Sequence, residues 1–363
     1  MNERWVAVLG RRDEPTDALE HYCQYLASAL MPNGIVLELF RVAWPEKGWR
    51  RALQDLREKA HQASDTWYLV EYTALAWSRR GFPLRVLNVI RTLKENNARC
   101  AVVFHDANPY SGSRLMDRFR RRVQLHTMQK AVRMADLVIL TAPADRAEWL
   151  PKASLNVTYI PVGANLPHPE SAWRMEKREK GIPTVAVFSI SVSSPTFVGE
   201  GVKRVAAAVC YASSELGPLR LAVVGRNSEV AGKQLRELLA GTQVEVIVHG
   251  LLAPQEIQST LGASDVLLFV GGPISSRRGS AIAGIACGLP VVAYEGQETA
   301  GTIKEAGVVL VARDLENGLG QALVRVLQNE AYRQALQERS RRAQKEFFSW
   351  ETIAERYLSA LRS

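Results

Sequence analysis

Long apolar runs are missing from this 363-residue chain. No stretch approaches the roughly 18 residues that a membrane-spanning helix requires. Cysteine is scarce: Cys23, Cys100, Cys210 and Cys287 are scattered, with no C-x-x-C and no histidine spacing beside them. That argues against a disulfide framework or a metal site and points to a reducing cytoplasm. The common nucleotide-binding signatures are absent as well. Without G-x-G-x-x-G, a nicotinamide or flavin cofactor has no support, and without G-x-x-x-x-G-K-[ST] neither does a P-loop kinase or ATPase. No G-x-S-x-G elbow announces a hydrolase triad. The first apolar run, Trp5–Leu9, follows Met1 almost at once, so no secretory signal is expected.

What is present is alternation. Short apolar runs separated by helix-length amphipathic segments recur along the whole chain, the pattern of doubly wound parallel sheets. The length exceeds one ordinary core, so two α/β domains are expected, an N-terminal one over 1–165 and a C-terminal one from 166. The Pro/Gly cluster Pro161–Pro169 and the charged run Arg174–Lys180 read as the linker. The stretch Val270–Tyr294 organises the second half: a strand end, a Gly/Ser/Arg loop, a small-residue helix stopped at Gly288-Leu289-Pro290, and a buried strand.

Ligands of open α/β sheets bind beyond the carboxyl ends of the strands, and the expectation is a cleft shared by the two domains. From the second domain, Arg226, Gly250, Leu251, Arg277, Arg278, Gly279 and Ser280 fall on such loops. Guanidinium groups beside the first amides of a helix suit a diphosphate, although solvated arginines would give the same sequence. From the first domain come Gly10, Arg11, Arg12 and Asp17 on one loop, Glu71 just past the third strand, and His105-Asp106 after the fourth. His105 is the candidate for catalysis with Asp106 as its orienter, while Glu71 suits a capping or surface role as well as a functional one.

Charge is uneven. Residues 1–165 carry 24 Lys and Arg against 17 Asp and Glu, and the remainder 22 against 20, so most of the net +9 lies in the first half. A predicted helix over 112–134 holds Arg114, Arg118, Arg120, Arg121, Arg122, Lys130 and Arg133 with Asp117 as its one acid. Such a face is either simply solvated or a peripheral contact with an anionic membrane. No basic stretch interleaved with aromatics and no zinc-finger spacing speaks for nucleic acid.

Several segments together resemble the retaining glycosyltransferases of family 4, which have the GT-B fold. They are Ala286–Ala293 (ACGLPVVA), Tyr159–Asn165 (YIPVGAN), Ala263–Phe269 (ASDVLLF), Val103–Asp106 (VFHD), Arg80–Pro83 (RGFP) and Phe348–Tyr357 (FSWETIAERY). The resemblance implies two Rossmann-like domains facing a central cleft, with 350–363 returning to the first domain. It also implies metal-independent hexosyl transfer from a nucleotide-diphosphate sugar to a glycan, lipid-linked or small-molecule acceptor. The nucleotide sugar is a substrate, so no cofactor is expected. His105 matches the family's histidine near the donor sugar, and the Gly10 loop the one near diphosphate and acceptor. Two departures stand out. The family's Glu-x7-Glu carboxylates fall on Ser275 and Ala283, and its Arg/Lys pair is replaced by Ser191, Ser193, Ser194 and Glu200, with Lys203 the nearest cation. Arg226, Arg277 and Arg278 are the substitutes at hand. A nucleotide-sugar-binding protein without turnover remains the alternative, and a sugar-nucleotide epimerase a weaker one.

Overall fold

The structure is a computed structural model and describes residues 3–62, 66–110, 112, 114–151, 156–174, 181–190 and 198–362. The chain divides into two compact units, Met1–Pro161 with Trp350–Ser363, and Val162–Ser349. The division falls four residues before the expected boundary at 165. Val162 opens the second unit, and its amide donates to Ser276 O (3.1 Å). The charged run 175–180 lies outside the described residues.

The first unit runs β1 (Glu3–Leu9), α1 (Ala18–Leu30), β2 (Ile35–Arg41), α2 (Trp44–His61), β3 (Trp67–Tyr72), α3 (Val86–Glu95), β4 (Arg99–Phe104), α4 (Leu115–Met134), β5 (Leu137–Leu140) and β6 (Val157–Tyr159). All six strands are parallel, in the order β2-β1-β3-β4-β5-β6. Helices cover both faces, so β3 and β4 are buried almost end to end, as continuous apolar strands of parallel sheets are. Glu71 lies inside β3, not past it, and its neighbours Val70 and Tyr72 are fully buried. The basic helix starts at Leu115, three residues later than its sequence suggests, and Ser113 lies outside the described residues.

The second unit runs β7 (Thr184–Phe188), α5 (Glu200–Leu216), β8 (Leu219–Val224), α6 (Ser228–Leu238), β9 (Val244–Gly250), α7 (Pro254–Gly262), β10 (Val266–Phe269), α8 (Gly279–Ala286), β11 (Val291–Tyr294), α9 (Gly301–Glu305), β12 (Val308–Val311), α10 (Gly318–Gln328) and α11 (Glu330–Ala343). Its sheet is again parallel, ordered β12-β11-β10-β7-β8-β9. Small residues let α8 sit directly on β10: a Cβ on Gly284 would collide with the Leu267 side chain. Gly288, at φ 75°, ends the helix by turning left-handed, and Leu289 N closes back on Gly284 O at 3.0 Å.

The last helix, α12 (Trp350–Arg362), packs in the first unit. Trp67 Nε1 donates to Leu361 O (2.8 Å), and the Tyr22 and Tyr357 hydroxyls lie 3.0 Å apart. Among the described residues no helix is long and apolar enough to cross a membrane.

Three of the four cysteines are buried and Cys210 is exposed. Burial pushes the thiols of Cys100 and Cys287 up to about 12. It also raises that of Cys23, where the Glu71 charge adds to it. The neutral thiol is a poor nucleophile. An alkylating reagent at mildly alkaline pH is therefore expected to modify Cys210 alone in the native protein and all four cysteines after denaturation. Intact-mass spectrometry counts the adducts, and native labelling of Cys287 would contradict the packing around α8.

Candidate functional site

In each sheet the strand order reverses once, and the loops after the two strands at that point frame the crevice where open α/β sheets bind ligands. In the first unit the reversal lies between β1 and β3. The loops after them are joined: Arg11 N donates to Ala76 O (2.8 Å), and so does Trp44 Nε1 (3.1 Å). A Cβ on Gly10 would run into the Ala76 carbonyl, so glycine is required there for close approach. Arg41, at the end of β2, ties the loop from the other side. Its guanidinium donates to Gly10 O (2.8 Å), Asp17 Oδ2 (3.0 Å) and Glu20 Oε2 (3.0 Å). Asp17 is committed twice over, because its Oδ1 caps α1 by accepting from Leu19 N and Glu20 N. Arg12 is exposed and reaches Glu20 at 3.4 Å, while Arg11 Nε approaches Leu75 O at 3.4 Å.

His105 follows β4, and its Nε2 lies 2.6 Å from Glu71 Oε2. The Glu71 side chain is fully buried and that of His105 is 10% exposed. The orienting carboxylate is therefore Glu71 and not the adjacent Asp106, whose Oδ2 accepts from Ala74 N (2.7 Å). Both residues follow the end of β4 and take different partners: His105 meets Glu71 within β3, and Asp106 the backbone of the loop after it. Nor is Glu71 a capping or surface residue. The Tyr22 ring meets the imidazole edge-on at 5.0 Å, and Trp350 packs on Tyr22 at 5.1 Å. Burial, with the nearby Glu71 charge, raises both the Tyr22 and the Tyr357 phenol well above their ordinary value, so both stay protonated. An ionised carboxylate can only accept. With Nε2 donating to such a carboxylate, Nδ1 is left to accept from a hydroxyl.

In the second unit the order reverses between β7 and β10. Of the loop after β7, residues 191–197, including Ser191, Ser193 and Ser194, lie outside the described residues. Ser189 (φ 61°), Gly225 (φ 105°) and Gly250 (φ 73°) stitch the ends of β7, β8 and β9 together. Ser189 N donates to Val224 O (3.0 Å) and Gly225 N to Gly250 O (2.8 Å). Arg226 follows Gly225 half-exposed, whereas Leu251 projects into solvent.

The loop after β10 leads through Gly272 (φ 104°) to Arg277, Arg278 and the first turn of α8 at Gly279-Ser280. Its backbone is fastened to the segment after β11: Ile274 N donates to Tyr294 O (2.9 Å), and Thr299 Oγ1 to Ile274 O (2.8 Å). Arg277 makes the third tie. Its Nε and NH2 donate to the two oxygens of Glu298 at 2.7 and 3.2 Å, with both side chains less than a fifth exposed. Arg277 is thus neither solvated nor a free cation for a diphosphate. The helix start keeps the amides that have no partner within the helix, with Arg278 at the N-cap position. Ser275 and Ala283, which stand where the family has glutamates, are buried.

Residues 192–329 match the family described as glycosyl transferases group 1. The match lies wholly in the second unit and spans the loops at its reversal point. No curated protein sequence matches at a significant level. Solved structures do. A glycosyltransferase from Rickettsia africae aligns with a TM-score of 0.69 at 13% identity, over 99% of this chain and 98% of its own. Sucrose-phosphate synthase from Thermosynechococcus elongatus aligns at 0.67 and 19%, over 99% and 98%.

The fold is GT-B.

HepE of Anabaena, solved with UDP and glucose, shares this GT-B fold at a TM-score of 0.66 and 15% identity, over 99% of this chain and all of that one. Within the GT-B frame, four contributors went unseen in the sequence: Arg41, Tyr22, Tyr357 and Glu298. Arg41 could have been found, since it closes a strand at the carboxyl end of the sheet. The others act through partners far away in sequence.

Proposed function

We propose that this GT-B protein transfers a hexosyl group from a nucleotide-diphosphate sugar to a hydroxyl acceptor with retention. The observation that carries the reading is the group 1 glycosyl transferase match, which falls on the loops at the reversal point of the second sheet. There Arg278, the opening amides of α8 and Arg226 are the groups proposed to hold the diphosphate. Charge develops on the leaving phosphate as the C1–O bond breaks, and fixed cations and amides stabilise it. The acceptor oxygen forms the new bond to C1 on the same face, and its proton passes to the departing phosphate oxygen. His105, held by Glu71, is assigned to the hydroxyls and developing charge of the transferred sugar. Arginine and amide donors carry the phosphate charge in this scheme, so chelation with EDTA is expected to leave turnover unchanged.

Calorimetric titration with UDP, GDP and ADP, followed by incubation with the matching nucleotide sugars, tests the reading. One nucleoside diphosphate should bind, and its sugar should be hydrolysed slowly or transferred with the anomeric configuration kept. Binding of none overturns the proposal, and an inverted product overturns the retaining half of it. The reading of a binding protein without turnover has its own support in the Arg277–Glu298 pair and in Ser275 and Ala283. Tight binding with no cleavage of any donor would select it.

A further inference from the structure

The first two turns of α4 hold three large apolar side chains out in solvent: Leu115 is 83% exposed, Met116 58% and Phe119 57%. The helix has a separate buried face, made by Gln124, Thr127, Met128, Ala131 and Val132. Leu115 and Phe119 fall opposite that face and Met116 on its flank, and the Phe119 ring also meets that of Phe82 at 5.8 Å. Leu115, Phe119, Arg122 and His126 follow one another at helical spacing along the opposite side. Around the apolar tip stand the exposed Arg114, Arg118, Arg121 and Arg122. The one acid of the helix, Asp117, is bound to Arg120 at 2.9 Å and does not neutralise them. The tip is also held firmly. Arg120 Nε donates to Arg80 O (3.0 Å), Gln124 Nε2 to Gly81 O (2.9 Å), and Gln124 Oε1 accepts from Tyr110 N (2.6 Å).

An apolar tip ringed by guanidinium groups complements one kind of surface: acyl chains beneath a layer of anionic headgroups. A nucleic acid would use the arginines and leave Leu115 and Met116 in water. We propose that the start of α4 docks the first unit on an acidic bilayer surface. Leu115, Met116 and Phe119 enter the headgroup–acyl boundary, and Arg114, Arg118, Arg121 and Arg122 meet lipid phosphates. This goes beyond the proposed reaction and does not rest on it, since docking needs neither a donor nor turnover.

Flotation of the full-length protein with vesicles tests it, using phosphatidylcholine alone and phosphatidylcholine mixed with phosphatidylglycerol. The wild type should bind the mixed vesicles, weaken as salt rises, and ignore the neutral ones. Each arginine at such a surface is worth about fivefold, so the triple variant Arg118→Ser/Arg121→Ser/Arg122→Ser should lose about a hundredfold. Leu115→Ser/Phe119→Ser keeps every charge and should still lose at least about tenfold. All five positions are solvent-facing or lie outside the core, and circular dichroism melts confirm that the variants fold. Nucleoside diphosphate affinity in solution should be the same in all of them, so failure of docking is read separately from failure of donor binding. No binding to acidic vesicles, equal binding to neutral ones, or full binding by the Leu115/Phe119 variant overturns the proposal.

Discussion

His105→Gln is expected to lower the turnover of sugar transfer by about 10²- to 10⁴-fold, the usual contribution of a positioned proton-transfer group. The glutamine amide can still donate to Glu71 but cannot gain or lose a proton at neutral pH, so folding and nucleoside diphosphate affinity should hold. His105→Ala is a harsher change. It leaves the Glu71 carboxylate, which is fully buried, without the imidazole 2.6 Å away. Leaving a buried acceptor without its donor costs about 1–3 kcal/mol, so that variant should melt below the wild type as well as turning over slowly. Glu71→Gln separates positioning from charge: the hydrogen bond survives and the charge that sets the tautomer does not. Steady-state kcat and KM, beside calorimetry with the nucleoside diphosphate, report each effect on its own. Unchanged kcat in His105→Gln would make the pair a purely structural element at the carboxyl ends of β3 and β4.

Arg278→Ala is expected to weaken nucleoside diphosphate binding by about 10- to 150-fold, the value of one charge-assisted hydrogen bond of about 1.5–3 kcal/mol. Arg278→Lys should recover part of the loss, because an ammonium cannot reproduce the planar fork. The parent nucleoside, which has no phosphate, should bind all these proteins alike. Arg277 should behave differently, because its fork already grips Glu298. If the pair clamps the loop, Glu298→Ala reproduces the defect of Arg277→Ala, and the double variant is no worse than either single one. The coupling between them should then be about 0.5–3 kcal/mol, the range for residues in contact. If Arg277 instead binds phosphate, Glu298→Ala leaves the affinity intact or improves it. Calorimetry on the three variants separates the two roles.

The two sheets were readable because their strands are. Runs such as Val138–Leu140 and Val291–Ala293 have no polar interruption, and Gly288-Leu289-Pro290 can only be a turn. The errors share one cause. A glutamate at the end of an apolar run looks like the exit of a strand, yet Glu71 continues β3, with an imidazole 34 positions later against one of its oxygens. Asp106 looks like the partner of His105 because it is adjacent, yet its carboxylate is taken by Ala74 N in the loop after β3. Arg277 looks free because its acid lies 21 positions downstream in an otherwise ordinary loop. Each depends on a pairing across the fold, which no local pattern records. The start of α4 shows the reverse case. Its positive charge was plain in the sequence, and only the placement of Leu115, Met116 and Phe119 shows which way those apolar residues face.

The return of α12 to the first unit has a consequence for how the protein is made. Trp67, Tyr22 and Glu3 take partners from Leu361, Tyr357 and Arg362, which are synthesised only after the whole second unit. At about 5–20 residues per second, a ribosome needs roughly 10–40 s to produce the intervening second unit. For that interval Tyr22 lacks Tyr357 and Trp350, and Trp67 lacks the Leu361 carbonyl. The second unit, encoded in one uninterrupted stretch, can complete its own core before α12 emerges.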